Sequence, residues 1–305
     1  MKPSVTPLRY PGGKTWLIPY VKDFLKFHSI QPGTVIEPFA GSASVTVGLL
    51  ESGFMKSGII CEKDQLIISF WDSVLNHNTE FCESVSSIEV TMETWWDFKK
   101  YLASDSYYHF GTVELATAFL FYNRTNYSGV IKAGPIGGKN QKSNYNLSCR
   151  FNKEKIVKKI KALEKFSDNI NIVSEDGISF IKKYGKNRDT EDAFFYIDPP
   201  YYKAGKVLYR DFFKDSDHEE LAKVVRPLES TWLVSYDESD FIYELYKGSE
   251  TNYVFTDYQA GHLRRGVREM LFSNRKIPPM AEETNEKIEG TRMSTEKEGI
   301  LEIRY

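Results

Sequence analysis

Asp192-Ala193-Phe194-Phe195-Tyr196-Ile197-Asp198-Pro199-Pro200-Tyr201-Tyr202 is the stretch from which the fold can be read outward. The run from Asp192 to Ile197 is apolar, rich in aromatics and as long as a buried strand. It ends in an acid and two prolines, which cannot run on into a helix. Each proline fixes its own φ, offers no N–H and biases the preceding residue toward extended backbone. Asp198 is thereby held stiffly at the strand's C-terminal end, where open α/β sheets bind ligands. A carboxylate beside a backbone carbonyl, here Pro199, suits attack by an amine. Both accept hydrogen bonds from one NH₂ and leave its lone pair aimed at an electrophile. Tyr201 offers an apolar face for a flat base. In an arbitrary chain, a strand followed by a proline turn is the plainer reading of these residues, so the surroundings have to decide.

Length and composition set the bounds. A chain of 305 residues, 41% hydrophobic and 27% charged, is long enough to bury a substantial core in one large domain or two. No apolar run reaches the ~18 residues of a membrane span. Met1 to Pro7 lacks the apolar centre of a signal peptide. Cys61, Cys82 and Cys149 are scattered, with neither a CxxC pair nor zinc spacing. A reducing cytoplasm and no metal are expected. The net charge of -2 excludes a uniformly basic protein but not a local basic face.

Near the N-terminus, Pro7-Leu8-Arg9-Tyr10-Pro11-Gly12-Gly13-Lys14 is a glycine turn that delivers a lysine. Leu17, Ile18, Val21, Phe24 and Leu25 follow at helical spacing. The GxxxxGK[ST] spacing of a phosphate loop is absent, so a helix start explains the turn equally well. Thr34-Val35-Ile36-Glu37-Pro38-Phe39-Ala40-Gly41-Ser42-Ala43-Ser44-Val45 then reads as a short strand ending in an acid, a turn of small residues and an apolar helix. That is a first βα unit, whose backbone a nucleotide can approach closely. A second strand, Gly58 to Cys61, ends at Glu62, where an acid commonly meets ribose hydroxyls. An adenosine-type cofactor is the expectation.

From Trp71 to Phe166 the alternation stops. Helices are expected around Thr91–Leu102 and Val113–Tyr122, with a loop from Asn123 through Gly138. Residues 132–165 hold ten Lys or Arg against two acids. Lysines on a helix are usually just solvated. A loop of glycines and polar aromatics with this charge excess favours phosphate contact instead. Strands resume at Ile170–Val173, followed by Ser174-Glu175-Asp176-Gly177 and a helix. After the central strand come Thr231–Asp237 and a final pair, Thr251–Thr256 and Arg268–Ser273. Gly261-His262-Leu263-Arg264-Arg265-Gly266 reads as a basic loop between that pair. Residues 276–298 read as a mobile tail.

Five segments in this order, PLRYPGGK, VIEPFAGSAS, the Glu62 turn, FYNRTNYSG and DPPYY, resemble the Dam-like DNA adenine-N6 methyltransferases of the D12 class, α arrangement. The resemblance covers roughly residues 7–275. It implies an α/β, Rossmann-like methyltransferase sheet from 1–70 and 167–275. A mainly helical target-recognition domain would be inserted at 71–166, and a tail would follow at 276–305. It implies S-adenosylmethionine, with Tyr10, Lys14, Glu37, Phe39, Gly41, Glu62, Asp176 and Asp198 at the cofactor. Asp198, Pro199 and Tyr201 would form the base pocket around a flipped adenine. Double-stranded DNA would meet Arg124, Asn126, Tyr127, Lys132, Lys139, Arg264 and Arg265. The setting would be a bacterial or phage-infected cell and the protein a monomer, with a cognate restriction endonuclease as a conceivable partner.

Two departures stand out. Ala43 occupies a position that is commonly glycine in the family. Lys132 stands where GATC-methylating relatives have arginine, so a GATC target does not follow. N4-cytosine enzymes share the amine logic but mostly carry serine at the Asp198 position. Protein-glutamine methylation would place asparagine there. A silent DNA-binding regulator on the same fold would not need Lys14, Glu62, Asp198 and Tyr201 together.

Overall fold

The computed structural model describes residues 6–9, 12–103, 111–185, 193–203, 205, 212–260 and 263–279, the stretch 255–267 by its backbone alone. Its centre is a seven-stranded sheet in the order β3-β2-β1-β4-β5-β7-β6. The strands are β1 Thr34–Glu37, β2 Ser57–Glu62, β3 Ile170–Ser174, β4 Phe194–Ile197, β5 Thr231–Asp237, β6 Glu250–Ala260 and β7 Leu263–Ser273. The first five are parallel, and β7 runs antiparallel to β5 and to β6. Strand order reverses between β1 and β4, which places the ligand crevice above those two strands.

Side-chain alternation builds a core on each face of the sheet. Val35, Phe194 and Tyr196 join one core, while Ile36, Phe195 and Ile197 join the other. The first core also takes α1 Ile18–Phe27, α2 Ser44–Glu51, α3 Gln65–Asn76, α4 Asn78–Ser87, α5 Met92–Ala103, α6 Thr112–Thr125 and α7 Lys153–Leu163. The second is covered by α8 Gly177–Tyr184, α9 Asp215–Val225 and α10 Asp240–Leu245. The strands and the Rossmann-like class agree with the sequence reading.

Three expectations need correction. The break at 70/71 falls inside α3, whose Trp71 donates its indole N–H to Gly41 O at 3.0 Å and so belongs to the sheet domain. The helical insert beyond it shares the sheet's core: Phe81, Trp95, Phe119 and Ile160 lie in one cluster with Val35 and Phe194. Arg264 and Arg265 lie within β7, paired with Gln259 and Tyr258, rather than in a loop. Finally, 276–279 pack back on α1. Tyr20 donates its hydroxyl to Pro278 O at 2.6 Å, and Ile277 is buried. Residues 280–298 of the expected tail lie outside the described residues.

Candidate active site

The parallel strands deliver their terminal acids to one cleft, about 1150 Å³ including its open mouth. Glu37, Phe39, Glu62, Asp64, Ile67, Asp176 and Gly177 line one end, and Lys14, Asp198, Pro200 and Phe213 the other. Val130, Ile131 and Lys132 reach in from the helical insert.

At the first end the backbone is bent to open space. Gly41 and Ala43 have φ of 47° and 42°, and Ala43 is the N-cap of α2. The position that is usually glycine in the D12 class is therefore left-handed. Alanine carries a steric cost there of ~1–2 kcal/mol, against ~0.8 kcal/mol from its buried methyl group. Glu62 accepts from the amides of Gly41, Lys63 and Asp64 at 3.2, 2.9 and 3.1 Å. Burial pushes its carboxyl up to about 7, with those amides holding back part of the rise. Glu37, buried and accepting from Thr46 N at 2.8 Å, is likewise pushed up to about 7 by burial. Asp176 caps α8 by accepting from Ser179 N at 3.0 Å.

This end fits S-adenosylmethionine. Five carboxylates stand against three lysines around the whole cleft, which suits a cationic, hydroxyl-rich ligand. A Cβ on Gly177 would come within 2.5 Å of Pro38 O and the Phe39 ring, so only hydrogen fits at that wall.

At the other end stands a buried charge cluster. Lys14 Nζ lies 2.7 and 2.9 Å from the two Asp198 oxygens, 3.0 Å from Gly12 O and 3.0 Å from the Tyr201 hydroxyl. Ser235 donates to Asp198 Oδ1 at 2.8 Å. Burial raises the Asp198 carboxyl above the usual carboxylate range, and Lys14 and Ser235 offset part of this. Tyr201 donates to Glu269 Oε1 at 2.7 Å, and Lys14 sits 4.8 Å from its ring centroid. The Tyr201 ring is largely buried beside Lys14, and Pro200 and Phe213 line the cleft as apolar walls. Asp237 accepts from the Tyr202 and Lys203 amides, both at 2.8 Å, and clamps the chain beyond the prolines.

The expected cofactor residues Lys14, Glu37, Phe39, Gly41, Glu62, Asp176 and Asp198 thus meet at this cleft; Tyr10 lies outside the described residues. Pro199 is buried next to Asp198. The expected DNA residues divide. Tyr127, Lys132 and Lys139 are exposed. Asn126 is fully buried, accepting from Trp95 Nε1 at 2.8 Å and donating to Ile131 O at 3.0 Å, so it shapes the loop from within. Arg124 donates to Arg150 O at 2.8 Å and Pro7 O at 3.3 Å, which ties three segments together. The Arg264 and Arg265 side chains lie outside the described residues.

Sequence reading missed Ser235, Asp237, Glu269, Phe213 and Trp71. Asp237 had a visible signal, an acid at a strand's C-terminal end like Glu37, Glu62 and Asp198. Ser235, two residues earlier, shares its face. Glu269 directly precedes the apolar Met270-Leu271-Phe272 of the same strand.

A family model for D12 class N6 adenine-specific DNA methyltransferases matches residues 10–260, more than half of the chain. Among curated proteins, none matches the chain. Similar solved structures include a SAM-dependent methyltransferase from Agrobacterium tumefaciens, at 8% identity and TM-score 0.40. That match covers 86% of this chain, which spans 62% of the length of the Agrobacterium protein. Another is spermidine synthase from Thermotoga maritima, at 11% identity and TM-score 0.33, with 93% of this chain and 66% of that one covered. No described helix is long and apolar enough to cross a membrane. The chain belongs to the D12 class N6 adenine-specific DNA methyltransferases, enzymes that use S-adenosylmethionine to methylate adenine in DNA.

Proposed function

We propose that the target adenine is extruded from duplex DNA into the Asp198 end of the cleft. There its N6 hydrogens are received by Asp198 Oδ2 and the Pro199 carbonyl. One observation carries this reading: the two oxygens of Asp198 are not equivalent. Oδ1 already accepts from both Lys14 and Ser235, whereas Oδ2 accepts only from Lys14 among the described residues. Oδ2 therefore keeps a lone pair for an incoming N–H.

A base inside a stacked duplex cannot reach such a pocket, so flipping precedes transfer. Pro200 and Phe213 supply apolar walls for the ring. When bound, S-adenosylmethionine supplies a methyl group on a cationic sulfur, an electrophile that needs no activation by the protein. The chain's own work is to position. Asp198 orients the amine and draws on its N–H, so that the nitrogen lone pair faces the Glu62 end of the cleft. Asp198 or water then takes the proton released from nitrogen. No nucleophilic side chain is needed, in keeping with the burial of Cys61 and Cys82 away from the cleft lining.

The duplex is read as lying over the rim that carries Lys132, with exposed Tyr127 and Lys139 on the same loop, where phosphate contacts position it without specifying sequence. The assignment of the helical insert beyond α3 as the recognition region rests on this loop and on the basic stretch behind it.

The test is Asp198→Asn, which keeps shape and removes charge. Single-turnover methylation should fall by roughly 10²–10⁴-fold, the scale of a preorganised electrostatic or acid–base group. DNA affinity should stay near wild type. Wild-type turnover in this variant would refute the assignment of Asp198.

A further inference from the structure

Strand β7 brings into the transfer site a carboxylate that the reading above leaves without a role. Glu269 is 3% exposed and stands directly across from Asp237 in the antiparallel β5–β7 ladder. The two acids brace the same segment. Asp237 holds the Tyr202 and Lys203 amides, and Glu269 holds the Tyr201 hydroxyl at 2.7 Å. Glu269 Oε2 also lies 3.5 Å from Lys14 Nζ. The ammonium is therefore shared, held closely by Asp198 and more loosely by Glu269.

A buried carboxylate is costly to keep. Glutamine could also accept from the Tyr201 hydroxyl, though more weakly, so that hydrogen bond alone does not require an acid here. What a glutamine could not do is draw on the Lys14 charge. In a site with little water this competition is poorly screened.

We propose that Glu269 is a positioning residue for methyl transfer: as a second counterion for Lys14, it keeps that lysine from fully neutralising Asp198, which stays a strong acceptor for the target amine. The proposal rests on Asp198 being that acceptor. Without Glu269, Asp198 would be the one carboxylate described against Lys14, and it would lose basicity. Burial holds the Glu269 carboxyl above the usual range, offset in part by Lys14 and the Tyr201 hydroxyl. Among the described residues, the other titratable groups around the cluster are Tyr196 on β4, Tyr201 and Asp198 beyond it, Tyr236 and Asp237 on β5 and Glu37 on β1; Glu269's partner on β6 is the apolar Val254.

The sign follows. Activity needs ionised Asp198, so the rate falls on the acid side as that group takes a proton. Removing the Glu269 charge lowers the proton affinity of Asp198 and moves this acid limb to lower pH.

The experiment is single-turnover methylation of duplex DNA across the pH range, with cofactor and DNA dissociation constants measured in parallel. Glu269→Gln should be slower at neutral pH by roughly 3- to 10-fold, the effect of a weaker general acceptor. Its acid limb should shift to lower pH while both dissociation constants hold. Glu269→Asp, which restores charge, should bring the limb back toward wild type. An unchanged rate, or a slower rate with an unmoved limb, would overturn the proposal, the latter marking a packing role. Asp198→Asn in the same assay separates the two readings. If that variant methylates normally, the Asp198 assignment fails. If it is inactive while Glu269→Gln behaves as wild type, only the Glu269 role fails.

Discussion

Arg9 and Asn123 hold each other by two reciprocal hydrogen bonds: Arg9 N donates to Asn123 Oδ1 at 2.7 Å, and Asn123 Nδ2 donates to Arg9 O at 2.9 Å. The same amide reaches Gly129 O at 3.3 Å. One buried side chain therefore joins the loop leading to Lys14, the end of α6 and the loop that enters the cleft at Val130–Lys132. The joint is tight, since Gly129 has φ 78° and a Cβ there would stand 2.1 Å from Arg9 O. Asn123→Ala should destabilise the protein by roughly 2–4 kcal/mol, because it leaves buried backbone groups without partners. Urea unfolding measures this. A loss under ~0.5 kcal/mol would mean the joint is not structural, since that is the usual range for surface substitutions.

Glu62→Ala should weaken S-adenosylmethionine binding by about 1.5–3 kcal/mol, the range for hydrogen bonds to a charged group. The carboxylate ends β2 beside the left-handed turn at Gly41, and three amides fix its orientation. Calorimetry on the refolded variant gives the answer directly. Unchanged affinity would place the ribose elsewhere.

The strand-end acids were legible because a strand fixes both the position and the direction of its last residue. Glu37, Glu62 and Asp198 each follow a short β-branched or aromatic run, and proximity in the fold follows from parallel pairing. Asn123, Arg124 and Asn126 were harder. Their motif lies at the end of α6 and in the loop beside the cleft, but an asparagine that reads outward and one that fastens a loop look the same in a sequence. Burial decided against direct contact for Asn123 and Asn126, whose amides are fully engaged inside the fold. Glu269 could not be placed from local pattern, since its partners Lys14 and Tyr201 are distant in the chain and meet it only through the β5–β7 pairing. The helices α3 and α4 went unread although Leu66, Ile67, Phe70, Trp71, Val74 and Leu75 recur at helical spacing, because the change of pattern was placed at Trp71, inside α3; α4 follows it after a single residue.

Stability should respond to pH through Glu37. Its carboxyl sits near 4.5 in the unfolded chain and is pushed up to about 7 in the fold by burial. Between those values the folded protein binds more protons than the unfolded one. This contribution is fully present below ~4.5 and is lost as pH rises through ~7. Glu37→Gln removes that dependence. Relative to wild type, the variant should gain roughly 2–3 kcal/mol at alkaline pH, where the buried anion is penalised, and little at acid pH. Parallel unfolding curves at both pH values check it, and a gain at acid pH alone would contradict the sign.

The DNA face makes the last prediction, in which position separates lysines from an arginine. Lys132 and Lys139 are exposed on the cleft's outer loop, and Lys139 Nζ lies 5.7 Å from the ring of half-exposed Trp96. Lys99, from α5, stands 5.1 Å from the same ring. Together they make a basic, aromatic rim beside the cleft mouth. Each phosphate contact contributes about 0.9 to the slope of log affinity against log salt. Replacing all three lysines by glutamine should therefore flatten the slope by about 2–3 and weaken binding to every sequence alike. Arg124 should behave differently. Its guanidinium is committed to the Arg150 and Pro7 carbonyls, and burial with Arg9 and Arg150 nearby lowers its pKa to about 10. Arg124→Gln should lower the unfolding midpoint while leaving the salt slope of the folded protein close to wild type. Filter binding over a salt series, paired with thermal unfolding, distinguishes the two. If Arg124→Gln flattened the slope as a surface lysine does, its guanidinium would have to leave those carbonyls for DNA.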